Sequence, residues 1–210
     1  MSSTPARETY RHGDLRQALV EAGLDMAREG GPDAVVLREA TRRAGVSPNA
    51  AYRHFADRRA LLVAVSNTAQ SAVADAMWRG YSAVDESGDP AAVAKARLRG
   101  VGLGYIRFAR EQPGLFRAAI GVPDDLANSG SPAKAGVNGL TSFQILGRVL
   151  DELVVAGAMP ADRRPNAELF AWSAVHGLGM LVIDGPLRGL TDQMIDGASE
   201  RLIDMVERGL

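Results

Sequence analysis

The run Leu37–Leu62, LREATRRAGVSPNAAYRHFADRRALL, leaves a chain little freedom. A helix is expected over Leu37–Ala44, and Gly45 stands where a helix end calls for a left-handed residue. Ser47 is an N-cap, and Pro48 follows at the first helical position, where its missing N–H costs nothing. The second helix ends near Phe55, before Asp57 caps another. A helix, a turn of about three or four residues containing glycine and a second helix form a helix-turn-helix. Ala51 and Phe55, four apart, turn inward and leave Pro48, Asn49, Ala50, Tyr52, Arg53 and His54 around the outside.

That outer face suits a DNA major groove. Asn49 can pair with an adenine edge and Arg53 with guanine, and the Ala50 methyl can touch a thymine methyl. Arg38, Arg42, Arg43, Arg58 and Arg59 flank the helix and are candidates for phosphate contacts, which set register without reading sequence. Between Arg38 and Arg59 six arginines face only Glu39 and Asp57, a local excess of four positive charges in a chain whose net charge is −1. The candidate DNA-contacting set is Arg38, Arg43, Ser47, Pro48, Asn49, Ala50, Tyr52, Arg53, His54 and Arg58.

The stretch AGVSPNAAYRHFADRRALL resembles the recognition-helix signature of the tetracycline-repressor (TetR) family of bacterial regulators, in which Gly-Val-Ser precedes Tyr-x-His-Phe, a basic residue and Leu-Leu. Gly45, Val46, Ser47, Tyr52, His54, Phe55, Leu61 and Leu62 match in type and spacing. The chain departs at four places. Val36 replaces the capping Ser or Thr of the first motif helix, Asn49 and Ala50 replace Gly-Thr, and Arg58 replaces Lys, so the family's Thr-to-phosphate contact does not carry over to Ala50.

Around this motif the 210 residues read as all-helical: aromatics are few, and 46% hydrophobic residues suffice for a sizeable core. Polar residues 1–11, with Arg7 and Arg11, read as an arm that is either an ordinary mobile terminus or a minor-groove contact. A first amphipathic helix carries Leu15, Leu19, Ala22 and Met26 and ends at Gly30. From Asp57 a continuous helix leads out of a DNA-binding domain, residues 12–60, into a larger domain, residues 61–210. Helices are expected there over Pro90–Glu111, Gly114–Ile120, Leu140–Ala156, Asn166–Asp184 and Asp192–Arg208. Residues 121–139, rich in Gly, Pro, Ser and Asn, are expected to be partly disordered. With no cysteine, no apolar leader and an apolar run, Trp172–Ile183, too short to span a bilayer, the chain reads as cytoplasmic with no membrane partner.

Trp172–Ile183 is apolar nearly all round, which fits a helix packed both on its own domain and on a second copy. The final helix adds the stripe Met194, Ala198, Leu202 and Val206. As in the resembling family, these two helices are expected to form a four-helix homodimer interface, placing two recognition helices on a palindromic operator. Trp172, His176 and Gly177 also resemble a C-terminal domain type of this family, the Trp-His-Gly type, which implies a small-molecule-responsive domain. The candidate ligand set is Tyr105, Phe108, Phe116, Phe143, Trp172, His176 and Met180; the alternative is that these residues only pack in the core or interface.

Gly100, Gly102 and Gly104 do not have nucleotide-loop spacing and mark places where another helix or a ligand approaches closely. Three separated histidines and no cysteine offer no catalytic set, and neither a metal nor a cofactor is expected. The sequence therefore reads as a DNA-binding transcriptional regulator, a repressor released by a small hydrophobic effector. The alternative is a constitutive DNA-binding adaptor whose C-terminal domain only dimerises or recruits a partner.

Overall fold

The computed structural model describes residues 12–210, which fold into nine α-helices and four short 3₁₀ turns. The expected arm, residues 1–11, lies outside the described residues. In order the helices are α1 (His12–Gly30), α2 (Leu37–Arg43), α3 (Pro48–Tyr52), α4 (Arg58–Ser82), α5 (Pro90–Glu111), α6 (Pro113–Ile120), α7 (Ser142–Val155), α8 (Ala167–Ile183) and α9 (Asp192–Gly209). No strand occurs among the described residues.

Polar side chains set most helix starts. Ser47 Oγ accepts from the Ala50 N–H, Asp57 from Ala60 and Asp89 from Ala92, while Thr141 and Gln144 cap each other reciprocally. Val36 begins α2 with no side-chain cap, as its apolar side chain requires. The recognition helix is shorter than expected: α3 stops at Tyr52, and both His54 and Phe55 donate their N–H to the Ala51 carbonyl. That tight exit buries Phe55 beside Ala51 and frees Asp57, in extended backbone, to cap α4.

Helix α4, about 37 Å long, runs from the helix-turn-helix through the centre of the body and packs on α1, α5, α6 and α7. Its closest neighbour is α5, and glycines allow the approach. A Cβ on Gly80 or Gly100 would overlap the other's carbonyl oxygen, and one on Gly104 would lie 2.5 Å from the Ala76 carbonyl oxygen. Gly102 sits against Ile203 of α9. These glycines therefore serve helix contacts.

The expected division at residue 60 falls within α4, and one continuous core extends from Leu19 to Leu210 across it. Helix α6 bridges the two parts. A Cβ on Gly114 would overlap the Ala27 carbonyl oxygen, and Ser66 Oγ on α4 donates to the Ala119 carbonyl at 3.1 Å.

One expectation needs correction. Residues 121–139 are folded: turns at Leu126–Asn128 and Pro132–Lys134 cross the body, Lys134 is buried, and the Val137 N–H donates to Asp75 Oδ1 of α4 at 2.8 Å. Composition missed the charged partners that order the segment. In α9 the stripe facing the protomer's own core is Ile195, Ser199 and Ile203, and Met194 is exposed. Helix α8 likewise buries only Ala167, Ala171, Gly179 and Val182, leaving Phe170 and Leu181 exposed.

Candidate nucleic-acid interface and internal cavity

The turn between α2 and α3 aims the reading face. Gly45 takes φ 66°, which reverses the chain without strain, and the Val46 N–H returns to the Thr41 carbonyl at 3.0 Å. Beyond it Ser47, Pro48, Asn49, Tyr52 and Arg53 are exposed, Ala50 and His54 are half-buried, and Ala51 anchors the helix. Tyr52 is a large ring that stands 58% exposed among the described residues.

The arginines divide into two groups. Arg38, Arg53 and Arg59 make no side-chain hydrogen bond or ion pair among the described residues, and all three are exposed. Arg43 grips Glu29 with two bonds, at 2.8 and 2.7 Å, and also pairs with Glu39. Arg42 and Arg43 together hold the Glu39 carboxyl down at about 2. Arg58 donates Nε to the Val35 carbonyl at 2.7 Å and Nη2 to the Pro32 carbonyl at 2.8 Å. Both arginines expected at phosphates, Arg43 and Arg58, thus have bonds within the protein: Arg43 ties α2 to the end of α1, and Arg58 holds the turn before α2. Spacing could not reveal this, because Glu29 and Val35 lie 14 and 23 residues from their partners.

A cavity of about 470 Å³ lies between α4, α5, α6, α7 and α8, with residues 122–134 along one side. Val73, Ala119, Ile120, Leu126, Phe143 and Leu146 supply apolar wall, and Gln70 of α4 contributes an amide. Tyr105, Trp172 and His176 supply a polar end. Trp172 Nε1 donates to Tyr105 Oη at 3.2 Å, and Tyr105 Oη lies 2.9 Å from His176 Nδ1. Burial pushes the Tyr105 phenol up to about 12, so it remains a donor. Burial also lowers His176, favouring the neutral ring. The arrangement that satisfies all three runs Trp172 N–H to Tyr105 and Tyr105 O–H to Nδ1, leaving His176 with its proton on Nε2.

Of the expected ligand residues, Tyr105, Phe143, Trp172 and His176 line this cavity. Phe108, Phe116 and Met180 do not. Phe116 is fully buried, edge-on to Tyr105 at 5.3 Å and 5.9 Å from the His176 ring, so it backs the polar end; Phe108 is core, and Met180 packs against it. A helical body has many inward directions, and periodicity alone does not say which one meets a void. Sequence reasoning also missed Gln70, which bonds to Ser66 at 3.3 Å, and Lys134. Lys134 did carry a signal, since it is one of only two lysines in an arginine-rich chain.

The family model for bacterial regulatory proteins of the tetR family matches residues 19–65, covering α2, α3 and the start of α4. A tetracyclin repressor-like C-terminal domain model matches residues 98–206, more than half of the chain. The chain belongs to the TetR family. Among solved structures, this TetR-family chain is similar to a protein of unknown function from Rhodococcus sp. RHA1, at 27% identity and TM-score 0.72, covering 97% of this chain and 99% of that one. It also resembles a TetR variant from Acinetobacter baumannii AYE in complex with minocycline, at 18% identity and TM-score 0.61, with 92% and 94% covered. A third likeness is PfmR from Thermus thermophilus, at 19% identity and TM-score 0.56, with 93% and 96% covered. Curated proteins give no match.

TetR-family proteins are DNA-binding transcription regulators and not enzymes, and this chain carries both parts of the family architecture. No helix among the described residues is long and apolar enough to cross a membrane.

Proposed function

We propose that the protein is a homodimeric repressor that leaves a palindromic operator when a small, largely apolar molecule enters the cavity between α4 and α8. The observation that carries this reading is that two walls of the cavity, α4 and α6, are also the two elements that run into the DNA-reading head. Gln70 and Val73 lie on the helix that follows α3 in the chain, and Ala119 and Ile120 end the helix whose Gly114 rests on α1. A ligand that prefers one setting of α4 and α6 changes the separation of the two α3 helices in a dimer, and with it the fit to successive major grooves. A hundredfold difference in ligand affinity between the two settings corresponds to about 2.7 kcal/mol of coupling. The binding of minocycline by the Acinetobacter baumannii relative supports a ligand-responsive body.

Dimerisation is supported by the apolar side chains left open on α8 and α9. Phe170 is 70% exposed, Met194 55% and Met205 62%, alongside Leu181. Covering such a face suits a second copy of the same helices. Phe170→Glu is expected to raise the dimer dissociation constant by about tenfold or more, with unchanged helical circular dichroism, as read by sedimentation equilibrium. An unchanged dimer would move the interface elsewhere.

The cavity is tested by screening small molecules for release of a fluorescent operator duplex. A releasing compound is expected to need a higher concentration on Trp172→Ala, while that variant's affinity for DNA in the free state matches wild type. Release equal in both proteins would place the effector elsewhere, and loss of the dimer at micromolar concentration would assign Trp172 to the interface. Constitutive binding that no compound relieves would favour an adaptor.

A further inference from the structure

The cavity has one charged group that is almost wholly buried. Lys134, 5% exposed, ends the 3₁₀ turn Pro132–Lys134 and lines the cavity. Its ammonium donates to Asp124 Oδ2 and, at 3.0 Å, to the Asn128 carbonyl, which uses two of its three N–H bonds. An ammonium at this depth is costly to leave without an anion. Asp124 stands differently. Its side chain is 36% exposed on the rim, and its other oxygen accepts from Asn128 Nδ2 at 2.9 Å and from the Asp125 N–H at 2.8 Å. Hydrogen bonding to Lys134 holds its carboxyl down at about 2, so it meets any incoming anion as a carboxylate. Asp124 can turn to water at lower cost than Lys134 can.

We propose that the effector is an amphipathic carboxylate whose head takes the place of Asp124 on Lys134 while its apolar body lies along Val73, Ile120 and Leu146. This rests on the reading of the cavity as the effector site. A neutral ligand of the same shape gains at most one hydrogen bond from the third N–H of Lys134 and none of the charge, because Asp124 and the Asn128 carbonyl already hold the other two. An organic cation meets a buried ammonium where water screens poorly. Asp125 on the same rim does not reverse that preference, since it is exposed and spends Oδ1 on the Ala127 N–H. The exchange would also untie residues 124–128 from Lys134, while the far end of the segment stays pinned to α4 through Val137 and Asp75. Asp124 then serves as the occupant of the anion position when no ligand is present.

The test titrates decanoate, decanol and decylamine into the full-length protein by calorimetry. Wild type is expected to bind decanoate about tenfold tighter than decanol, the scale of a charge-assisted hydrogen bond, with decylamine weakest. In Lys134→Met decanoate should fall to the level of decanol, and an unchanged decanol affinity shows the cavity intact. Asp124→Asn, which removes the internal competitor and keeps the loop's other bonds, should tighten decanoate and leave decanol alone. Decanol equal to or tighter than decanoate on wild type, a decanoate preference that survives Lys134→Met, or no tightening in Asp124→Asn would overturn the carboxylate assignment and leave the cavity reading standing. Binding of none of the three would overturn the cavity reading itself.

Discussion

Gly100→Ala is expected to destabilise the protein by about 3 kcal/mol or more, lowering the thermal midpoint by roughly 6 to 12 °C. Alanine normally gains stability over glycine inside a helix, so the sign alone is informative. The new methyl would overlap the Gly80 carbonyl oxygen, and Gly80 is as tightly placed against Gly100. Backbone meets backbone here, and no rotamer change relieves it; α4 and α5 must separate along their length. Gly102→Ala, two residues on, meets side chains and no backbone, Ile203 Cδ1 at 3.0 Å and Cγ1 at 3.2 Å with Val175 Cγ1 at 3.6 Å, which need give by only a few tenths of an ångström, and should cost under about 1 kcal/mol. Differential scanning calorimetry of the two variants checks the contrast. Equal midpoints would mean that α4 and α5 do not cross at this pair.

Arg53→Ala is expected to weaken specific binding by about 10- to 100-fold and to relax preference at one base position of each half-site, the usual effect of losing a bidentate contact to guanine. Arg53 is exposed at the exit of α3 and has no partner among the described residues. Arg58→Ala should differ in kind. Its guanidinium holds the Val35 and Pro32 carbonyls, so its loss should lower the unfolding midpoint and weaken cognate and scrambled DNA alike. Competition binding at fixed salt separates the two. Equal loss on cognate and scrambled DNA for Arg53→Ala would remove it from base readout.

The helix-turn-helix was legible because its signals are local. Gly45, Ser47, Pro48 and Asp57 act within three residues of where they stand, and the structure gives each the backbone role expected of it. The glycines at 100, 102 and 104 were legible as close approaches, although the sequence could not say that α4 and α9 were the neighbours. Long-range pairing stayed hidden. Arg43 with Glu29, Arg58 with Pro32 and Val35, and Trp172 with Tyr105, 67 residues away, depend on the packed fold, and they decide which arginines remain open and which aromatics surround a void. Residues 121–139 show the same limit. Their composition suggests disorder, yet the Asp124–Lys134 pair closes the segment on itself and Asp75 of α4 pins it to the body.

The most direct test of the account is selection of random duplex DNA by the purified protein at fixed near-physiological salt, followed by sequencing and by measuring how many protomers bind the recovered duplex. The account predicts a near-palindrome whose half-sites lie about one helical turn apart, or a multiple of it, bound by one or more dimers. An enriched sequence without two-fold symmetry bound by one protomer, or no enrichment with only weak, salt-sensitive binding, would contradict it.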